Sequence, residues 1–161
     1  MQTSDNKATA AALQAALINK PILQQGSQGD AVRELQQLLT TWGTYNGSID
    51  GIFGSRVKSA VIAYQHRVFL IEDGIVGSLT WQALFTGAPV NMPVLSQGSF
   101  GDTVILLQRL LTTTKDYTST IDGDFGSRTK KAVQTFQTRS QIVADGIVNF
   151  QTWHALSKVP H

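Results

Sequence analysis

Three apolar stripes at helical spacing, separated by polar loops punctuated with glycine, set the pattern of the chain. Val32, Leu35, Leu38, Leu39 and Trp42 follow Ser27-Gln28-Gly29-Asp30, and Gly43 ends the run. Ser27 is placed to cap this helix, with Asp30 three residues on in a box-like arrangement that also favours the positive helix end. A second stripe, Val57, Ala60, Val61, Tyr64 and Val68, follows Gly54. A third, Trp81, Leu84 and Phe85, follows Gly77. The loops between hold Tyr45-Asn46-Gly47-Ser48, then Ile49-Asp50-Gly51-Ile52-Phe53-Gly54-Ser55-Arg56, and later Asp73-Gly74-Ile75-Val76-Gly77. No segment alternates with period two for long enough to predict a strand.

The pattern occurs twice. Sliding Pro21–Leu84 onto Pro93–Leu156 needs no gap, and roughly 35 of about 64 positions are identical. Ser99, Asp102, Val104, Leu107, Leu110 and Leu111 repeat the first stripe. Thr129, Ala132, Val133, Phe136 and Ser140 repeat the second, and Trp153 and Leu156 the third, behind Asn149. The predicted fold is all-α: two tandem three-helix modules at residues 21–87 and 93–157. A short linker at 88–92 joins them, and a tail covers 158–161. An N-terminal extension, residues 1–20, carries a further predicted helix over Lys7–Asn19, with Leu13 and Leu17 on one face and Pro21 ending it.

Composition narrows the function classes. The 161 residues are 42% hydrophobic and 15% charged, with a mean hydropathy of −0.04, ordinary values for a globular chain. A net charge of +2 and 13 dispersed Lys and Arg argue against nucleic-acid binding. The absence of cysteine removes disulfides, thiolate metal sites and a cysteine nucleophile. No apolar run approaches the length of a membrane span. Ala10 to Ile18 has some character of a signal peptide, but Gln14 interrupts it and Asp5 stands where basic residues should dominate, so no clear signal peptide is read.

The ordered motifs carry a resemblance. Gly26, Gly29, Val32, Leu35 and Gln36 are followed by Asp50, Gly51, Phe53 and Gly54. Then come Ala60, Val61, Tyr64 and Gln65, and finally Asp73, Gly74, Ile75, Val76, Thr80, Trp81, Ala83 and Leu84. The second set is Gly98, Gly101, Val104, Leu107, Gln108; Asp122, Gly123, Phe125, Gly126; Ala132, Val133, Phe136, Gln137; and Asp145, Gly146, Ile147, Val148, Thr152, Trp153, Ala155, Leu156. The series resembles the peptidoglycan-binding domain family, the type 1 three-helix module. Ser55 and Ser127 stand where that family often has proline, and Asn149-Phe150 replaces its glycine–proline pair. The resemblance implies an orthogonal three-helix fold and a non-catalytic protein, or targeting region, of the bacterial cell wall and envelope. It implies peptidoglycan or muropeptides as partners, alongside a cell-wall hydrolase, and no nucleic acid; a monomer is expected. The alternative it leaves open is a protein-docking or pro-domain-like regulatory module of a cell-wall hydrolase.

Candidate chemistry is sparse. His66, His154 and His161 lack metal-ligand spacing, so neither metal nor cofactor is expected. No serine sits in a nucleophile elbow. Asp50, Asp73, Asp122 and Asp145 could be imagined as glycosidase carboxylates, but each precedes glycine, where Asp is a turn former. No catalytic residue is expected. Binding is the better-supported reading. Arg56 and Arg128 sit in a helix first turn, with Lys58, Lys130 and Lys131 close by, an arrangement suited to a carboxylate. Pairing of Arg56 with Asp50, and of Arg128 with Asp122 or Asp124, is the competing reading. Trp81 and Trp153 either stack on a sugar ring or pack the third helix. Tyr45 and Tyr117 belong equally to a core or a groove. Gln36, Gln108, Gln65 and Gln137, on otherwise apolar stripes, are expected to tie loops to helices. Trp42, opposite Thr114 in the repeat, marks either a unit-specific contact or the linker seam.

Overall fold

The computed structural model describes residues 20–161. The helix expected over Lys7–Asn19 lies outside those residues. Six α-helices are present among them: α1 (Asp30–Thr41), α2 (Ser55–Arg67), α3 (Ser78–Thr86), α4 (Asp102–Thr113), α5 (Ser127–Arg139) and α6 (Phe150–Ser157). None is long and apolar enough to cross a membrane. The chain divides into two compact units between Val90 and Asn91, each with three helices, so the all-α, tandem three-helix expectation holds.

In the first unit α1 packs against α2 and α3. Its core is the predicted apolar stripes: Val32, Leu35, Leu39, Val61 and Leu84 are fully buried. Each such aliphatic side chain contributes about 1.5–3 kcal/mol relative to exposure. Trp81 fills the centre and its indole Nε1 donates to the carbonyl of Pro21 across 2.8 Å. That bond and an isolated bridge between Leu23 and Val76 fasten the entering chain to the last loop. The second unit repeats both features: Trp153 Nε1 donates to Pro93 O at 2.8 Å, and Leu95 bridges Val148.

The helix starts differ in one respect from expectation. Gly29 and Gly101, not Ser27 and Ser99, are the N-caps of α1 and α4, and no side chain caps either helix. The two serine hydroxyls instead accept from Gln24 N and Ser96 N, both at 3.1 Å. A serine two residues before the cap is spent on closing its own turn. Gly54, Gly77 and Asn149 cap α2, α3 and α6 as expected, and the Asn149 side chain accepts from Thr152 N at 3.2 Å.

Trp42 makes a unit-specific contact. Its Nε1 donates to Leu84 O at 2.7 Å, its carbonyl accepts from Arg67, and its ring lies against the left-handed Gly87 that ends α3. The second unit has Thr114 there, and Arg139, the counterpart of Arg67, pairs with Asp116 at 2.7 Å.

A candidate muropeptide cleft repeated in both units

The loop before α2 is held from below by one buried amide. Gln36 Nε2 donates to Asp50 Oδ1 (2.8 Å) and to Ile52 O (3.3 Å), while its Oε1 accepts from Gly51 N (2.9 Å). Asp50 Oδ1 also accepts from Ile52 N at 3.0 Å. The aspartate is therefore a turn former, engaged with the loop's own backbone. Gly51 takes φ +75°, and a Cβ there would meet the Arg33 side chain at 3.1 Å and Gly29 O at 3.2 Å, so glycine is required on two counts. Gln108 does the same for Asp122 (3.0 Å), Asp124 O (3.1 Å) and Gly123 N (2.9 Å). These bonds hold both carboxyls below the ordinary carboxylate value, led by the Gln36 bond at Asp50 and by the Asp124 amide at Asp122.

Above this braced loop lies a cleft in each unit. In the first, of about 310 Å³, Tyr45 and Asn46 face Ser55, Arg56 and Ser59. In the second, of about 290 Å³, Tyr117, Ser119 and Thr120 face Asp122, Asp124, Ser127 and Arg128. The tyrosines form the floor: each is buried, and its hydroxyl donates to the carbonyl of Ser48 (2.7 Å) or Thr120 (2.6 Å). Tyr45 and Tyr117 thus belong to core and groove at once. At the mouth, Arg56 and Arg128 are exposed. Among the described residues neither makes an ion pair or a side-chain hydrogen bond, although Asp50, Asp122 and Asp124 lie in the same loops. No side chain caps α2 or α5, so each helix start keeps first-turn amides without a side-chain acceptor beside its arginine, an arrangement that favours an anion.

The other candidates fall elsewhere. Trp81 and Trp153 are each 1% exposed. Their rings are core, and no face is left for a sugar. Lys58 and Lys130 are separated from the arginines: their stems lie over Gly74 and Gly146, in the loop before the third helix. Residues two apart on a helix point about 200° apart, so Arg56 and Lys58 cannot share one cleft.

A relationship not drawn from the sequence explains the arginine. Within each unit the braced loop is built twice. Gln65 holds Asp73 (3.0 Å), Ile75 O (3.0 Å) and Gly74 N (3.0 Å) as Gln36 holds the earlier loop. Gln137 does likewise for Asp145, Ile147 and Gly146. Asp50-Gly51-Ile52-Phe53-Gly54-Ser55-Arg56 aligns with Asp73-Gly74-Ile75-Val76-Gly77-Ser78-Leu79. The second loop also bounds a cleft, of about 280 Å³, but Leu70, Ile71, Ile75 and Leu79 make it apolar. The scaffold therefore does not need arginine: Leu79 and Gln151 serve at the same place. The recurrence of Asp-Gly-Ile inside one unit was the signal that could have shown this.

Comparison with known proteins agrees with the repeat. The chain is 30% identical over 149 residues to the N-acetylmuramoyl-L-alanine amidase CwlM of Mycobacterium tuberculosis, covering 83% of this chain and 37% of that protein. It is 45% identical over 64 residues to the spore cortex-lytic enzyme of Bacillus subtilis, covering 39% of this chain and 21% of that enzyme. The chain thus spans well under half the length of these relatives. The crystal structure of the SleB N-terminal domain is 35% identical, with a TM-score of 0.42, over 43% of this chain and 94% of that one. Residues 28–84 and 100–156 both match the family described as "Putative peptidoglycan binding domain", and the chain belongs to that family, in two tandem copies.

Proposed function

We propose that the chain is a non-catalytic region that binds peptidoglycan in the cell envelope, each unit holding a stem-peptide carboxylate at Arg56 or Arg128. The observation that carries this reading is the unpaired guanidinium that lines a cleft with the equivalent tyrosine and serine in both units. Family membership supplies the polymer, and stem peptides supply its carboxylates. Relatives named as an amidase and a cortex-lytic enzyme support a setting beside wall hydrolases. An Arg–carboxylate contact at an exposed site is weak alone. Two linked clefts on a repetitive polymer raise retention through effective concentration, without new contacts.

Cosedimentation with purified sacculi at low salt tests the proposal. The expected result is protein in the pellet, released by soluble muropeptide. Protein left wholly in the supernatant overturns it; capture of a wall hydrolase without sacculus affinity would favour the regulatory alternative instead.

A further inference from the structure

The loops that lead into α2 and α5 are not chemically alike, and one pair of facing residues differs between them. Phe100 and Asp124 oppose each other across an isolated antiparallel bridge, and Asp124 lines the second cleft. The flanking bonds, Gly101 N to Gly123 O and Phe125 N to Ser99 O, are both 2.9 Å. They make Phe100 and Asp124 a non-hydrogen-bonded pair, the closer kind, with Cα atoms about 4.5 Å apart and side chains on one face. The Phe100 ring is 81% exposed. The Asp124 carboxylate has no ion pair or hydrogen bond among the described residues, whereas Asp122 is already engaged by Gln108 and the Asp124 amide.

The first unit keeps the register and changes the chemistry. Gln28 bridges Ile52, with Gly29 N to Gly51 O and Phe53 N to Ser27 O again both 2.9 Å. One backbone arrangement thus presents an amide and an aliphatic chain in one unit, and an aromatic face and a free carboxylate in the other. Asp122, Asp124 and Arg128 line the second cleft; the first unit keeps the counterparts Asp50 and Arg56 but has the uncharged Ile52 in place of Asp124. An exposed ring beside a carboxylate is the combination that receives an ammonium group, through the ring's negative face and the anion together. Asp124 lines the same cleft as Arg128, so an ammonium and a carboxylate on one residue can be held together.

We propose that the second unit's cleft recognises the zwitterionic end of a diamino-acid residue. Asp124 and Phe100 hold its ammonium and Arg128 its carboxylate, while the first cleft takes a carboxylate alone. The inference rests on the stem-peptide reading of both clefts, and makes Phe100 and Asp124 its specificity-determining residues. Gln28 and Ile52 show that the bridge accepts an uncharged pair, so the exchange F100Q/D124I is compatible with the fold.

The test is amide chemical-shift titration of the whole chain with L-alanyl-D-isoglutamyl-meso-diaminopimelate, its side-chain amine free or acetylated. Acetylation is expected to weaken binding about fivefold at the Ser119, Thr120 and Gly126 amides. Binding at Asn46, Ser55 and Ser59 should change less than about twofold. F100Q/D124I should remove the dependence, and Q28F/I52D should create it in the first unit. Equal affinity of the free and acetylated peptides at the second unit overturns the inference and leaves the carboxylate reading standing. Absence of shifts in both units, with protein still pelleted by sacculi, overturns the assignment of both clefts but not wall binding. Absence of both shifts and pelleting overturns the two together.

Discussion

The side-chain amide of Gln36 donates to the carboxylate of Asp50 across 2.8 Å, and the chain makes this bond four times. Gln65 reaches Asp73 at 3.0 Å, Gln108 reaches Asp122 at 3.0 Å and Gln137 reaches Asp145 at 3.2 Å. Each glutamine is at most 1% exposed, and each satisfies a glycine amide that would otherwise be buried without a partner. Loop shape is therefore set from within the core.

Gln108→Met keeps the volume and removes every one of these bonds in the second unit's first loop. The buried Gly123 amide loses its partner, while the Asp124 carbonyl keeps the Gly126 amide at 3.1 Å, so the cost should be about 2 kcal/mol. Urea unfolding followed by amide signals should show the second unit melting earlier and the first unchanged. A midpoint like that of the parent chain would mean water replaces the glutamine at little cost.

Asp50 and Asp122 are held below the ordinary value of 3.8, chiefly by the Gln36 bond in one case and the Asp124 amide in the other. Their charged forms therefore favour the folded state. That stabilisation is complete above the unfolded-state value and disappears as pH falls through the lower folded-state value. Denaturation midpoints should drop below about pH 4. D50N/D122N should flatten that drop, and a double variant with the parent's acid dependence would assign it to other carboxylates.

Arg56→Ala with Arg128→Ala removes two exposed, unpaired cations, so stability should change by less than about 0.5 kcal/mol. Retention on sacculi should fall about tenfold, and parent binding should itself weaken as salt rises toward about 1 M, where the Debye length is about 3 Å. A drop in melting temperature instead would return both arginines to a structural role.

Gly87→Ala tests the unit-specific clasp. Gly87 sits at φ +69°, and a Cβ there would lie 2.3 Å from the Trp42 ring. Backbone strain and displacement of the indole together should cost about 2–3 kcal/mol, felt in the first unit alone. Trp42→Thr, the second unit's residue, should make the same glycine substitution cheaper. Additive costs in the double variant would show that the ring and Gly87 do not interact.

Helix number, order and core were legible because apolar residues recurring at 3.6-residue spacing, in two copies, fit an amphipathic helix and little else. The site was legible only in part. Trp81 and Trp153 recur in both units, yet recurrence serves a core position and a stacking platform equally; only burial separates them. Arg56 and Lys58 look like one cluster in the sequence, although two positions along a helix carry them to opposite loops. The Asp124–Phe100 pairing stayed hidden because its members lie on different loops and neither recurs in the first unit.

The doubled loop has a consequence for valency. Each unit already contains a second braced turn whose second helical position, Leu79 or Gln151, is exposed and free of core duty. At Leu79, where no side chain caps α3, an introduced arginine would meet the same kind of amide-lined helix start that Arg56 meets; at Gln151 the Asn149 side chain already caps α6. The number of anchoring points is therefore not tied to the number of modules; a single surface substitution on an existing turn is enough to change it.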